Sequence, residues 1–323
     1  MADYSIGIDI GGTKIAFGIV DKTGTVLHHE IYDTPKTSRE AVIQLIQKNI
    51  QIYEQLAKRN GWKLTGIGIG TAGQVHSQKG IIISGTDNIQ DWNQVPLRKY
   101  LSQHTNLPII LDNDANTFLI AEHLLGYGKN YDNIVCLTLG TGIGGGVMSG
   151  GHIIRGHWGG AAELGHVTIN MYGPDCNCGS KGCLETYASG IGIANRMKET
   201  LQNSLSNTNQ HSLYIKKQAD HITSKEVMDM YQEGVIEATQ VIEQAIQALT
   251  FGIISFIHTF NPSIIIFGGG LIDHHPWLVT SVQENVKNKG MHTLVHSVEI
   301  VPSKLGHLAG LIGSAQLFWT KNK

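Results

Sequence analysis

Residues 4–20 read Tyr-Ser-Ile-Gly-Ile-Asp-Ile-Gly-Gly-Thr-Lys-Ile-Ala-Phe-Gly-Ile-Val. Two apolar runs flank a Gly-Gly-Thr turn, which predicts a buried strand at 4–10, a tight turn and a second strand at 15–20. Residues 133–149 repeat the plan: Asn-Ile-Val-Cys-Leu-Thr-Leu-Gly-Thr-Gly-Ile-Gly-Gly-Gly-Val-Met-Ser. Each half of the chain thus carries a strand, a Gly/Thr turn and a strand. Two such hairpins facing one another would grip a polyphosphate from both sides. Gly and Thr also favour hairpin turns for purely structural reasons, so the weight rests on the pair in corresponding positions.

Working outward, a third strand is expected at 25–32, after the turn Asp21-Lys22-Thr23-Gly24. Residues 38–59 have the period of an amphipathic helix, with Ser38 as N-cap and Asn60-Gly61 as its stop. Strands are expected at 65–71, 80–84 and 107–111, and a helix at 115–125. Residues 150–190 are glycine-rich and irregular. Residues 191–260 are mainly helical. A buried strand at 263–267 runs into Gly268-Gly269-Gly270. A helix near 277–288, a strand at 297–301 and a helix at 307–318 complete the chain. The mixture defines an α/β class with two sheets.

The length of 323 residues suggests two domains. These are expected as a smaller one over 1–118, completed by the helix 307–323, and a larger one over 119–306. The net charge of -2 offers nothing to a phosphate backbone, so no nucleic-acid partner is expected. Hydrophobic residues at 41% and charged residues at 15% exclude a disordered chain. The start Met1-Ala2-Asp3-Tyr4 lacks a signal-peptide pattern. The most apolar stretch, 249–257, is too short to span a bilayer. A cytoplasmic protein with no membrane partner is expected. There, clustered cysteines favour metal over disulfide. Eighteen of the 39 glycines lie between Gly126 and Gly192, and only Gly234 and Gly252 between 193 and 260. That distribution assigns the glycine excess to the functional site and marks 140–185 as the segment most sensitive to substitution.

Two stretches fit G-x-G-x-x-G: Gly68, Gly70, Gly73 and Gly140, Gly142, Gly145. Neither is followed by a helix start, so neither suits a dinucleotide. The turn Asp9-Ile10-Gly11-Gly12-Thr13-Lys14 suits phosphate better. Gly11 and Gly12 let backbone N–H groups approach phosphate oxygens, and Thr13 adds a hydroxyl. Asp9 can hold the hydration shell of Mg²⁺. Thr141 and Gly142 can supply opposing donors, while Gly268 and Gly269 allow an adenosine moiety to approach backbone. In Leu111-Asp112-Asn113-Asp114-Ala115-Asn116, a strand end meets a helix start. Asp114 is the candidate general base for transfer of a γ-phosphoryl group to a hydroxyl. Asn113 can orient the same alcohol, one residue of the run can cap the helix, and Asp112 is the more expendable. Further on, His166, Cys176, Cys178 and Cys183 make a four-ligand set suited to a structural, tetrahedral Zn²⁺. Glu163 and Glu185 flank it and could accept hydrogen bonds from a polyol.

Together these residues resemble the ROK family of sugar kinases and repressors, from Ile8 to Gly313. The resemblance rests on the first phosphate hairpin, Gly70-Thr71-Ala72-Gly73, Asn113-Asp114-Ala115-Asn116 and Thr141-Gly142-Ile143-Gly144-Gly145-Gly146. Most diagnostic are Glu163-x-Gly165-His166 and the Cys-x-Cys-Gly-x-x-Gly-Cys-x-Glu run ending at Glu185. It implies an actin-like, hexokinase-type fold with ATP bound between two domains and a hexose in the cleft. It implies Asp114 as catalytic base and Asn113, Asp114, Glu163, His166 and Glu185 on sugar hydroxyls. It implies His166 and the three cysteines on zinc, and a homodimer. Gly73, Thr86 and Asn88 are further candidates for the sugar.

The segment 84–93 is expected to lie over the sugar. Its Thr86 and its Trp92-Asn93 pair look more like N-acylmannosamine kinases than plain glucokinases of the family, which ranks N-acetylmannosamine above glucose. Gln74 departs from both patterns. Family repressors often carry an N-terminal helix-turn-helix. The first strand begins within four residues of Met1, which favours a kinase over a sugar-sensing regulator. A zinc hydrolase is disfavoured because the four ligands leave zinc no open position.

Overall fold

Why residues 4–20 form a hairpin is visible in their burial. The computed structural model describes residues 3–85, 89–205 and 221–320. β1 (Asp3–Ile10) and β2 (Lys14–Asp21) pair antiparallel in register Ile10↔Ile15 and Ile8↔Phe17. Ile6, Ile8, Ile10, Ile15, Phe17 and Ile19 are all fully buried. β3 (Val26–Asp33) continues the meander. α1 (Arg39–Asn60) begins at Ser38, whose side chain accepts the Ala41 N–H. It ends at Gly61, left-handed at φ 69°, whose N–H donates to the last-turn carbonyls. Both caps stand where the sequence places them.

β4 (Lys63–Thr71) runs parallel to β1. The short hairpin β5 (Gln74–His76) and β6 (Ile81–Ser84) and the single turn α2 (Leu97–Leu101) follow. β7 (Ile109–Asn113) pairs parallel with β4 and leads directly into α3 (Asp114–Leu125). The first sheet has the order β3-β2-β1-β4-β7. Its core gathers Ile6, Phe17, Ile46, Tyr53, Ile67 and Leu111.

The second series repeats this plan. β8 (Ile134–Leu139), β9 (Ile143–Ser149) and β10 (His152–Ile153) come first. Among the described residues the helices α4 (Glu185–Ala188), α5 (Gly190–Leu205), α6 (Ser224–Gln232) and α7 (Ile236–Phe260) follow. β11 (Ile264–Gly268), α8 (Gly270–His274), α9 (Trp277–Lys287), α10 (His292–Val295) and β12 (Glu299–Pro302) precede the final α11 (Ala309–Thr320). The second sheet has the order β10-β9-β8-β11-β12. Both sheets therefore read third, second, first, fourth, fifth strand of their series. The duplicated hairpin in the sequence is the start of a duplicated topology.

The chain divides into two compact units. One comprises Met1–Cys136, Gly146–Ala162 and Ser303–Lys323, the other Leu137–Gly145 and Glu163–Pro302. Within the second, α7 extends on both sides of the apolar run 249–257. At 25 residues and a mean hydropathy of 1.3 over its most apolar window, it has the length and composition to cross a membrane. Two thirds of that window is buried inside the protein, against α4, α5, α6, α9 and α10, as for a core helix.

α11 corrects the reading of the glycines. This helix lies on β1 and β4 and against α3, all in the first unit. A Cβ at Gly7 would lie 2.5 Å from Leu311 O, at Gly68 1.8 Å from Ser314 O, and at Gly313 1.8 Å from Thr117 O. Those positions need glycine because two backbones meet there. Part of the glycine excess therefore builds a helix-on-sheet seam outside 140–185.

Candidate active site

The first group of candidate residues lies in the first unit, around the turn between β1 and β2. Thr34 braces that turn, its N–H donating to Thr13 O at 2.9 Å and its Oγ1 to Gly11 O at 2.8 Å. The Gly11 N–H donates to Lys14 O. The N–H groups of Gly12 and Thr13 have no acceptor among the described residues. A braced turn with two unengaged N–H groups is a fitting cradle for phosphate oxygens. Asp9 ends the same strand. Burial raises its carboxyl from 3.8 to about 7, and the nearby Asp114 charge adds to the rise. Gly310 makes room for it, since a Cβ there would lie 2.2 Å from Asp9 Oδ2. A carboxylate held in so costly a place suits a cation beside it.

The run 112–116 has a division of labour set by the junction of β7 and α3. Asn113 is the N-cap, with Oδ1 accepting the Ala115 and Asn116 N–H groups at 2.9 and 3.2 Å. Its Nδ2 donates to Gly73 O at 2.9 Å, which brings two candidate sugar residues together. Asp114 is the first residue of α3, and its Oδ1 accepts the Ala115 N–H.

Asp112 is far from expendable. Only 2% exposed, it accepts Arg155 Nε and Nη2 on Oδ2 at 2.8 and 2.7 Å. Its Oδ1 accepts Asn116 Nδ2 and the Asn113 N–H, each at 2.9 Å. This pair fixes the strand end from which Asn113 and Asp114 project, and sequence reasoning missed it. The signal available was weak: Arg155 is the only arginine between Arg98 and Arg196, within a glycine-rich stretch.

The second group lies in the second unit, around the turn between β8 and β9. The Gly140 N–H donates to Gly142 O, while the Gly190 and Ile191 N–H groups donate to Gly140 O and Thr141 O. Glu185, the first residue of α4, accepts the Ile143 N–H on Oε2 at 2.7 Å. A Cβ at Gly142 would lie 2.4 Å from that oxygen, so Glu185 sits against the Thr141-Gly142 turn. Gly269, at φ 90°, passes against Leu139 O, where a Cβ would come within 2.4 Å. Gly268 ends β11 just before it. Neither glycine triplet-and-spacing match leads from its turn into a helix, as the rejection of a dinucleotide site required.

Glu163 and His166 share one tight turn, the His166 N–H donating to Glu163 O at 3.0 Å. It directs His166 Nδ1 to 3.5 Å from Cys176 Sγ. Cys178 Sγ lies 3.6 Å from Cys183 Sγ, and all four ligand atoms fall within 4.8 Å of one another. A tetrahedron with Zn–S of ~2.3 Å and Zn–N of ~2.0–2.1 Å has S···S edges of about 3.8 Å and S···N edges of about 3.6 Å. The donor set fits zinc in type, number and spacing. Burial pushes the Cys183 thiol up to about 12, a cost that a bound cation would offset.

Thr86 and Asn88 lie outside the described residues. Of the neighbouring pair, Trp92 is 1% exposed and points its Nε1 at Thr71 Oγ1, 3.4 Å away. Asn93 Oδ1 accepts the Gly85 N–H at 2.8 Å. Trp92 thus anchors its segment to the end of β4, and Asn93 ties that segment to Gly85.

A duplicated sheet topology with a phosphate-type turn in each half defines the actin-like class of phosphate-binding proteins. The ROK family profile matches residues 5–321, and the chain belongs to the ROK family. It is 35% identical to a glucokinase of Thermotoga maritima over 97% of this chain and 96% of that protein. It is 29% identical to a xylose repressor of Bacillus spizizenii over 98% of this chain and 77% of that protein. A ROK family glucokinase from Streptomyces griseus, solved in complex with glucose and AMPPNP, superposes with a TM-score of 0.79. That structure is 31% identical, over 97% of this chain and 98% of that one. The fold is the actin-like ATPase fold.

Proposed function

We propose that this chain is an ATP-dependent sugar kinase that phosphorylates the 6-hydroxyl of a hexose, with glucose as first candidate. The observation that supports it most is the first-unit group: Asp114 at a rigid strand-to-helix junction, electrostatically coupled to Asp9 at the end of a phosphate-type turn. In this reading Asp114 takes the proton of the attacking hydroxyl. Asn113, fixed by the helix cap and Gly73, orients that hydroxyl, with Glu163, His166 and Glu185 on other hydroxyls. The N–H groups of Gly12 and Thr13, the Thr13 hydroxyl and Lys14 hold phosphate oxygens. Thr141 and Gly142 add donors, and Gly268 and Gly269 take the adenosine. Asp9 would hold the water shell of Mg²⁺, which when bound neutralises charge on the β- and γ-phosphates. Catalysis is then mostly positioning and charge stabilisation.

His166, Cys176, Cys178 and Cys183 would hold a structural Zn²⁺ that pins the loop bearing Glu163 and Glu185. A homodimer is part of the same reading, checked by light scattering in solution.

Glucose is placed before N-acetylmannosamine for two reasons. The T. maritima and S. griseus relatives are glucokinases, and the Trp92-Asn93 pair that favoured the N-acyl sugar is engaged in anchoring its segment. The xylose repressor relative supports a second reading, a sugar-sensing regulator. Sugar-dependent ADP release, measured with glucose, N-acetylmannosamine, N-acetylglucosamine, mannose and fructose, separates them. Release with none of these sugars would leave the regulator. Faster turnover of N-acetylmannosamine than of glucose would reverse the substrate order.

A further inference from the structure

α10 is a single turn whose buried Val295 packs toward α7, while His292 and His296 both face outward. The His296 N–H donates to His292 O at 3.2 Å, the i to i−4 bond that stacks these positions on one face. The two imidazole centroids are 4.1 Å apart at an interplanar angle of 39°. Neither ring makes a hydrogen bond to any described residue. We infer that His292 and His296 form a two-imidazole chelate for a divalent transition-metal ion, outside the kinase site and its zinc loop.

The chemistry follows from the spacing. Two histidines four apart on one helical face bring two borderline nitrogen donors to a single ion, and imidazole suits Ni²⁺, Cu²⁺ and Zn²⁺. The mount is rigid, so little order has to be gained on binding. The Met291 N–H, just ahead of the turn, donates to His258 Nε2 at 3.1 Å. Gly290, at φ 77°, brings the chain in against Val295, Ile254 and His258. His258 is thereby a positioning residue, its Nε2 engaged as an acceptor. Water would complete the coordination of an ion that both rings hold.

Protein whose Cys/His site has first been filled with zinc is titrated with Ni²⁺ alone, followed by calorimetry and by the histidine ring resonances. A single saturable equivalent that shifts the His292 and His296 resonances is expected. His292→Ala and His296→Ala should each weaken it at least ~10-fold, about 1.4 kcal/mol. His28→Ala, on β3, should leave it unchanged. Both rings are exposed, so unaltered melting curves will show that the variants fold. No saturable binding below about 1 mM Ni²⁺, or equal binding in both variants, would reduce the pair to a stacking contact and overturn the inference. The readout is binding, so it stands apart from whether the chain proves to be a kinase.

Discussion

Asp112 and Asp114 stand two residues apart in roles the strand-to-helix junction separates. Asp112 is enclosed and paired with Arg155, and Asp114 begins the helix beyond it. Asp114→Asn keeps the helix start but removes the proposed proton acceptor, so turnover should fall by about 10²–10⁴-fold while sugar still binds. Steady-state assay beside calorimetric sugar titration checks both halves, and near-normal turnover would remove the assignment. Arg155→Ala leaves a carboxylate enclosed without its partner and should cost roughly 3 kcal/mol. Asp112→Asn leaves a guanidinium that is 30% exposed and can reach water, so it should cost less, on the order of 1 kcal/mol. Denaturant unfolding of the two variants should show that order. Asp9 carries a pH signature. The unfolded chain loses this proton near 3.8 and the folded chain near 7, so between those values the folded state holds more protons and stability falls as pH rises. Asp9→Asn removes that titration. In magnesium-free and nucleotide-free protein its melting temperature should exceed the parent's by at least ~3 °C near pH 8, with the gap closing toward pH 4. A gap constant across that range would refute the burial argument.

Elements show where local pattern was enough and where it was not. The hairpins, α1 with both its caps, the junction of β7 and α3, and β11 were legible because each depends on residues within a few positions of one another. α2, α8 and α10 were missed because a helix of four or five residues shows no period. The role of Asp112 was missed because its partner lies forty-three residues away, and no local spacing encodes that contact. The seam under α11 was hidden for the same reason: Gly7 and Gly68 look like ordinary strand glycines until a helix from the far end of the chain is laid on them. Their tolerance is therefore predictable only now. Gly68→Ala places a methyl 1.8 Å from Ser314 O, so β4 and α11 must part. A loss of about 2–3 kcal/mol is expected. An unchanged unfolding midpoint would mean that the helix can slide without cost.

At the scale of the whole chain, the two units each carry their own core, and the Cys/His cluster belongs to only one of them. The core cluster that holds Ile6, Phe17, Ile67 and Leu111 in the first unit contains no residue of the loop 163–185. Leu164, Cys183 and Leu184 anchor the two ends of that loop, but no residue of its middle, 170–181, is buried. Tyr172 is 86% exposed and Cys178 is exposed, and its internal order rests on turn hydrogen bonds such as the Cys176 N–H to Ser180 O. A bound zinc would supply the stabilisation that apolar burial does not, since site formation and local folding share one free energy. Metal analysis should find one zinc per chain, and Cys178→Ser should lose it. Stripping the metal with a chelator should speed hydrogen exchange across 163–185, including the turn that sets Glu163, and leave β1 and β4 protected. Uniform loss of protection in both units would show that the metal supports the whole molecule. Unchanged exchange in the metal-free protein would show that the turns hold the loop by themselves.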